Sequence, residues 1–213
     1  MRDEHCHILW GVDDGSPDWE TTCAMVDEAR ASGITEIVCT PHMRWDDFNR
    51  ADIERKFAQL ARYAPDIRWT LGFEVYYKRL LRIGLEHAPE FTIGNSNVIL
   101  IEFNSGADVP HDWERAFYTL QSTYGLDIIL AHPERYASVL DDFDLVYQMY
   151  QSGVRMQVSA SDLFGGLFNK ASKVAKRLLS EGLAESLVSD AHAPEHYAFY
   201  RKAVKKGLYR AKG

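Results

Sequence analysis

Short apolar runs that alternate with amphipathic stretches are the strongest constraint on the fold of this 213-residue chain. Two of the runs, at residues 98–101 and 128–131, are continuously apolar, which is typical of parallel strands buried on both faces. The stretches between the runs repeat apolar residues with a helical period, and glycines such as Gly33 and Gly125 follow them, as expected just after helix C-termini. Repeated β-then-α units predict a parallel sheet with helices outside it.

We predict seven strands, at residues 5–9, 36–40, 67–75, 98–103, 127–131, 155–158 and 186–189. Helices are predicted at residues 19–32, 50–63, 112–124, 142–152, 168–181 and 195–206. These units indicate an α/β fold with one domain over residues 1–213, a closed or nearly closed barrel of about seven β/α units. In such barrels the chemistry lies at the C-terminal ends of the strands, so the residues there matter most.

Histidines and acids gather at those predicted strand ends. The set contains His5, His7, Asp14, His42, Glu74, Glu102, His132, Asp190 and His192, and the pattern places the adjacent acids Asp13 and Glu134 equally well. His5 and His7 are two residues apart, so on a strand both imidazoles face the same side. Taken singly, an acid at a strand end is more often a helix cap or turn residue. Helix caps and turns would not place histidines and acids at the end of one strand after another. We therefore expect the set to meet in one metal-binding pocket.

Charge and donor type together define the ions that such a pocket could hold. The formal net charge is −7, and carboxylates gathered in one cleft repel one another unless cations neutralise them. Imidazole and carboxylate groups bind Mn, Fe, Zn or Mg, and this donor set is large enough for two or three divalent ions. An acidic chain without a basic tract is a poor candidate for binding nucleic acid or an anionic membrane.

Cysteine usage and hydropathy indicate the compartment. The three cysteines have neither redox nor zinc-ribbon spacing, and no apolar run approaches the roughly 20 residues that span a bilayer. We therefore expect reduced thiols in a cytoplasmic protein, with no membrane insertion.

Seven short segments resemble the PHP (polymerase and histidinol phosphatase) superfamily, and most closely its bacterial tyrosine phosphatases of capsule and exopolysaccharide operons. They are His5-Cys6-His7-Ile8-Leu9, Gly11-Val12-Asp13-Asp14-Gly15, Thr40-Pro41-His42, Glu74-Val75-Tyr76-Tyr77, Ile101-Glu102-Phe103, Ala131-His132-Pro133-Glu134-Arg135-Tyr136 and Ser189-Asp190-Ala191-His192. The segments follow the family order along nearly the whole chain. The resemblance implies a distorted seven-stranded (β/α)7 TIM-like barrel of the PHP type and a centre of three cations, usually manganese.

The resemblance also implies a role for each residue. One cation would be held by His5, His7, Glu74 and Asp190, a second by Glu74, Glu102 and His132, and a third by Asp14, His42 and His192. Arg135 would contact the phosphate and, with His42 and Asp190, is a candidate catalytic residue. The family carries another phosphate-facing arginine after its final Asp-x-His motif, whereas this chain has no arginine there before Arg201.

Three functional hypotheses follow. The first is a phosphotyrosine-protein phosphatase, acting on a protein such as an autophosphorylated kinase of polysaccharide export, with hydroxide generated at the cations as nucleophile. The second is a phosphoesterase for a small metabolite or nucleotide, and the third is a metal-bound but inactive binding module. Substrate choice would depend on loops such as residues 44–49, where Trp45 and Phe48 could flank a phenol, as could Phe164 elsewhere. Members of the family can assemble into rings, so a homo-oligomer is among the expectations.

Overall fold

Parallel strands dominate the computed structural model, which describes residues 1–166 and 168–208. Its strands are β1 Arg2–Cys6, β2 Glu36–Cys39, β3 His42–Met43, β4 Arg68–Leu71, β5 Glu74–Tyr76, β6 Val98–Glu102, β7 Asp127–Leu130, β8 Arg155–Ser159 and β9 Ser186–Val188. A three-stranded sheet has the order β1-β2-β4, and a six-stranded sheet has the order β3-β5-β6-β7-β8-β9. Each strand is parallel to its neighbours.

The six predicted helices are present, each to within about two residues at either end, and the structure adds two short helices, α3 (Tyr77–Ile83) and α5 (Ala137–Asp141), that were not predicted. They are α1 Trp19–Ala31, α2 Arg50–Tyr63, α3 Tyr77–Ile83, α4 Trp113–Tyr124, α5 Ala137–Asp141, α6 Asp144–Gln151, α7 Lys170–Ser180 and α8 His196–Lys205. Local signals set their ends: the Asn49 side chain accepts a hydrogen bond from the Asp52 N–H at 3.1 Å, and α4 stops at Gly125, whose φ is 65°. None of the helices in the described residues is long and apolar enough to cross a bilayer.

A break in the chain direction divides the predicted strand at residues 67–75, and a similar break separates the predicted strand at residues 36–40 from a short strand that was not predicted. The segment Thr40-Pro41 separates β2 from β3, and Gly72-Phe73 separates β4 from β5. Proline has no N–H to donate to a ladder, and a Cβ atom at Gly72 would lie only 3.0 Å from Ile93 Cγ1, so this break in the strand passes close to another segment. Each break moves the chain from the three-stranded sheet to the six-stranded sheet, where His42 and Glu74 become register partners.

The first strand lies earlier in the chain than the sequence prediction of residues 5–9. It ends at Cys6 because the His7 backbone bonds elsewhere: its N–H donates to the Ala191 carbonyl at 2.9 Å, and its carbonyl accepts from the Ser16 N–H at 3.0 Å. The Asp190 N–H likewise donates to the His5 carbonyl at 3.0 Å. These bonds join β1 to the segment after β9, so the parallel sheet curls round on itself.

Apolar side chains pack on both faces of the curled sheet. The larger core lies between the sheet and the helices, and Cys6 belongs to it, as expected from its position between two inward-facing histidines. A smaller cluster inside the curl, here called the inner apolar layer, consists of Val38, Ile93, Leu100, Ile129 and Ala131. The strands pass through this layer and then reach the polar residues at their C-terminal ends.

Candidate metal centre

Glu74 lies at the middle of the polar cluster at the strand ends. Its Oε2 atom is 3.3 Å from His5 Nε2 and 3.2 Å from His7 Nε2. The same oxygen is 3.1 Å from His42 Nδ1, and Oε1 is 2.9 Å from His132 Nε2. One carboxylate therefore touches four imidazoles that come from three different parts of the sequence.

The remaining predicted ligand residues surround this centre. Glu102 Oε1 is 3.2 Å from His42 Nδ1, and Asp190 Oδ1 is 3.6 Å from His5 Nε2. Asp14 Oδ1 lies 3.3 Å from His42 Nε2 and 3.6 Å from His192 Nε2. The structure thus brings together all nine residues that the sequence analysis selected as ligands.

Three subsets of these residues are close enough to share an ion. In each subset, one donor atom per residue lies within 4.8 Å of the others; the subsets are His7, Asp14, His42 and His192, then His5, His7 and Asp190, and finally His42, Glu74 and Glu102. They resemble the three ligand sets implied by the family. The difference is that His7 and His42 each belong to two subsets, while His132 reaches the cluster through Glu74.

Unsatisfied buried atoms show whether these residues fit a cation. Among the described residues, His42 Nδ1, Glu74 Oε2 and Glu102 Oε1 are buried without a hydrogen-bond partner. Buried polar groups rarely go unpaired, because that costs about 1–3 kcal/mol each. Two donors bound at right angles to a cation about 2.1 Å away lie about 3 Å apart, close to the 3.1 and 3.2 Å between these atoms. The donor set therefore fits a divalent cation.

The electrostatics of the cluster also require positive charge. Burial and the neighbouring His7 lower the pKa of His42, but the carboxylates of Glu74, Asp14 and Glu102 outweigh them and raise it to about 10. The interaction with His42 in turn lowers the pKa of Asp14 to about 2. Burial raises the pKa of Glu74, yet the surrounding histidines hold it well below the usual range. The carboxylates stay ionised, and either protons on the imidazoles or bound cations can neutralise them.

Asp13 is a functional residue that the sequence analysis did not select. Its Oδ2 atom is 2.8 Å from His7 Nδ1, on the opposite side of the ring from the metal-facing Nε2. The same carboxylate accepts hydrogen bonds from the N–H groups of His42 and Gly15. Asp13 therefore fixes the orientation of His7, as carboxylates commonly do for metal-binding histidines. The only sequence signal was its place beside Asp14.

Gly15 allows the loop that carries both aspartates to close over His7. A Cβ atom at position 15 would lie 2.2 Å from the His7 carbonyl oxygen and 2.4 Å from its Cβ atom. No side chain fits at that distance, so the glycine of the Asp-Asp-Gly sequence is required by close approach. The loop brings Asp13 and Asp14 to the cluster together.

Arg135 lies at the edge of the cluster and is already engaged by two acids. Its Nη2 atom is 2.7 Å from Asp190 Oδ2, and its Nε donates to Asp162 Oδ2 at 2.7 Å. Asp162 was not selected from the sequence, because it lies in a short 3-10 turn after β8 with no recognisable motif. Next to Arg135, burial and then the charge of Asp162 raise the pKa of Glu134 to about 8.

Two of the predicted ligands have backbone conformations that L-residues seldom adopt. Among the described residues other than glycine, positive φ angles occur at His132, with 33°, and at Asp190, with 48°. Such conformations cost of order 1–3 kcal/mol and persist where the surrounding structure enforces them, commonly at functional sites. Each residue lies two positions after the end of a strand, β7 for His132 and β9 for Asp190, where this backbone conformation directs the side chain into the cluster.

Histidines that the sequence analysis set aside lie mostly outside the cluster. His87 Nδ1 pairs with Glu90 Oε1 at 2.7 Å on the surface. His196 is closer, since its Nδ1 atom accepts a hydrogen bond from the His192 N–H at 3.2 Å. Arg201, the first arginine after the final Asp-x-His, pairs with Glu28 Oε2 of α1 at 3.1 Å and so does not reach the cluster.

Comparison with known proteins gives consistent matches along the chain. A family model described as capsular polysaccharide synthesis, CpsB/CapC, matches residues 1–209. The chain is 31% identical over 212 residues to CapC of Staphylococcus aureus, covering 96% of this chain and 82% of that protein. It is 29% identical over 204 residues to the tyrosine-protein phosphatase YwqE of Bacillus subtilis (strain 168), covering 90% and 77%.

A solved structure gives the same result in three dimensions. It comes from work on YwqE from Bacillus subtilis and CpsB from Streptococcus pneumoniae, described as unique metal-dependent tyrosine phosphatases. The TM-score is 0.82 and the sequence identity 27%, and the match covers 97% of this chain and 88% of that chain.

Proposed function

Because the chain belongs to the CpsB/CapC family of capsular polysaccharide synthesis, we propose that it is a metal-dependent tyrosine-protein phosphatase acting in that synthesis. Relatives in the same family are named tyrosine-protein phosphatases, and the matched solved structure is of metal-dependent ones. The reaction is hydrolysis of the phosphate monoester of a tyrosyl side chain.

One observation in the site carries this proposal. His42 Nδ1, Glu74 Oε2 and Glu102 Oε1 are buried, lack hydrogen-bond partners and lie 3.1–3.2 Å apart in contacts centred on His42. A bound cation would pair with all three atoms, which otherwise stay buried without a partner. Divalent cations, when bound, would activate a water molecule as the nucleophile and neutralise charge on the phosphate.

The protein's own residues supply the rest of the chemistry. Asp13 holds His7 through its Nδ1 atom, so that Nε2 stays directed into the cluster. Arg135 is positioned by Asp162 and Asp190 at the edge of the cluster, where its remaining N–H groups can bind a phosphate oxygen. A tyrosyl leaving group has a pKa near 10 and needs little protonation, so the site requires no strong general acid.

Finer assignments are also part of this proposal. The three donor subsets support three cations, for which manganese is our choice, held by the nine residues that the sequence analysis selected. The free thiols of Cys6, Cys23 and Cys39 support a cytoplasmic location. We further infer a seven-stranded barrel in which β2 with β3 and β4 with β5 each count as one strand. We also infer that the partner is a tyrosine kinase of polysaccharide export.

A substrate panel tests the activity directly. The purified protein, loaded with manganese, is assayed on a phosphotyrosine peptide, a phosphoserine peptide, histidinol phosphate and a nucleotide. We expect turnover of the phosphotyrosine peptide and its loss in EDTA. Preferred turnover of a small metabolite would contradict the protein substrate, and no turnover of any compound would contradict the enzyme assignment.

Substitutions in the cluster test the proposed centre. Glu102→Ala and His132→Ala should abolish turnover while the circular dichroism spectrum stays unchanged. His87→Ala is the matched control, because His87 pairs with Glu90 on the surface. Arg135→Ala should mainly raise KM, and an unchanged KM would argue against phosphate binding by this residue.

A further inference from the structure

Arg44 is a second guanidinium group at the cluster, and it is held differently from Arg135. Its Nη1 atom lies 3.9 Å from Glu102 Oε1, and its Nη2 donates to Asn104 Oδ1 at 3.3 Å. The guanidinium carbon lies 4.7 Å from the ring centre of Tyr76, over its face. Stacking fixes the plane of the group without using its N–H donors. Arg44 is therefore oriented but keeps donors available.

Arg135 has less capacity left for a substrate anion. Two of its nitrogens are each 2.7 Å from a carboxylate oxygen, of Asp162 and of Asp190. Short charge-assisted contacts of this kind are strong and saturate a large part of the guanidinium fork. The acids that hold the two arginines differ as well: Asp190 belongs to the subset with His5 and His7, and Glu102 to the subset with His42 and Glu74. The two groups thus lie at different parts of the cluster.

Trp45, the next residue after Arg44, offers an aromatic surface beside the cluster. Its ring packs edge-on to His42, with centroids 5.5 Å apart at an interplanar angle of 82°, yet the residue is 40% exposed. It lines a cavity of about 550 Å³ together with Gly11, Val12, Asp13, Asp14 and Asp47. Because Asp14 lines the same cavity, the exposed ring of Trp45 and the candidate metal centre open into one space.

The other loop aromatics considered from the sequence are occupied elsewhere. Phe48 makes edge-on contacts with Phe73 and Phe91 in the large core. Phe164 stacks on Phe199 of α8, at a ring distance of 6.0 Å. Of these three candidates, Trp45 alone faces the cluster.

We propose that Arg44 and Trp45 determine the substrate class of this site: Arg44 binds the phosphate and Trp45 packs against the ring of an aryl phosphate. In an aryl phosphate a single oxygen joins the ring to phosphorus, so the side chains that bind the ring and the phosphate must lie close together. Arg44 and Trp45 are consecutive residues after β3, one cationic and one aromatic, and so suit the two parts of such a molecule. The inference rests on the proposed function, but it concerns binding and can be tested without turnover.

Calorimetric binding of two phosphonates to the manganese-loaded protein separates the two contributions. Phenylphosphonate and methylphosphonate carry the same anionic head and differ in the ring. We expect the wild-type protein to bind phenylphosphonate more tightly. Trp45→Ala should reduce that preference by roughly tenfold, as expected when one aromatic contact is lost, and Trp45→Phe should retain most of it. Tyr118→Ala, which removes an exposed ring on α4, is the control and should change nothing.

The arginine gives the complementary result. Arg44→Ala should weaken binding of both phosphonates equally, by about tenfold to a hundredfold, because hydrogen bonds to charged groups are lost. Arg44→Lys should restore part of the affinity for both. An unchanged phenyl-to-methyl ratio in Trp45→Ala would overturn the aromatic role, and unchanged affinities in Arg44→Ala would overturn the phosphate role. A wild-type protein that binds neither compound would overturn both. Absence of turnover with normal phosphonate binding would instead contradict the proposed function alone.

Discussion

The two ends of the curled sheet are built from opposite chemistry, although the same strands form both. Leu100 of β6 belongs to the inner apolar layer, and Glu102, two residues further on, belongs to the candidate metal centre. Ile129 of β7 and Ala131, which follows β7, belong to the same apolar layer, and His132 comes next in the chain. The chemistry of the interior therefore changes from apolar to charged within about two residues of each strand.

Charges at the two ends are also balanced in different ways. At the N-terminal ends, a cavity of about 350 Å³ is rimmed by arginines and glutamates, with Arg2 3.4 Å from Glu4 and Arg155 2.9 Å from Glu185. There each acid has a basic partner on the protein. At the C-terminal ends, buried carboxylates meet mainly imidazoles, which carry charge only when protonated. The comparison teaches that the apolar layer stabilises the fold, whereas the charged layer needs protons on its imidazoles or bound cations to balance its carboxylates.

Removing the central carboxylate, which belongs to the charged end of the sheet, should have the largest effect on metal content and activity. Glu74→Gln keeps the size of the side chain but removes the charge that four histidines contact. We expect bound manganese to fall and kcat to drop by about a thousandfold or more, since a catalytic cation contributes several kcal/mol. Elemental analysis and steady-state kinetics measure the two effects. Glu90→Gln, on the surface, is the control. Normal metal content in Glu74→Gln would refute the role of Glu74 as the central ligand.

A smaller loss is expected when the residue behind a ligand is changed. Asp13→Asn removes the negative charge that orients His7 but leaves every predicted ligand in place. Activity or manganese affinity should fall by about tenfold to a hundredfold. A manganese titration of kcat measures this, with Asp66→Asn, at an exposed ion pair with Arg30, as the control. If the titration curves of the Asp13 variant and the wild type coincide, the orienting role is wrong.

The smallest effect on activity should come from the apolar layer. Leu100→Ala leaves a cavity in a fully buried position, and it should lower the free energy of unfolding by about 2–5 kcal/mol. With excess manganese, kcat should stay at the wild-type value. Urea denaturation and kinetics under the same conditions test both statements. A reduced kcat with normal metal content would show that the two layers are coupled rather than separate.

Local sequence signals were sufficient for the six longer helices and for the selection of the cluster residues, but not for the short helices α3 and α5. Helix ends depend on neighbouring residues such as Asn49 and Gly125, so a one-dimensional pattern contains them. The residues His5, Glu102 and His132 could be selected because parallel strands bring their C-terminal ends to one edge. Both kinds of inference need only the order of elements, not their exact geometry.

The features that the sequence did not predict depend on contacts between segments that are far apart along the chain. The division of the strands at Pro41 and Gly72 arises as the curled sheet closes, and β1 was misplaced because the His7 backbone bonds to Ala191 and Ser16. Asp162 contacts Arg135 across two loops, and nothing in its own neighbourhood indicates this. Of the adjacent pair Asp13 and Asp14, the pattern could not tell which one faces His7 and which faces His42.

The hydrogen bonds between β1 and the segment after β9 have a consequence for biosynthesis. His5 and His7 lie far ahead of Asp190 and His192 in the sequence, so they leave the ribosome long before those residues do. The proposed cation sites are therefore incomplete until the segment after β9 has emerged. Tight ion capture should begin only once β1 has paired with that segment, which makes it a late event in folding.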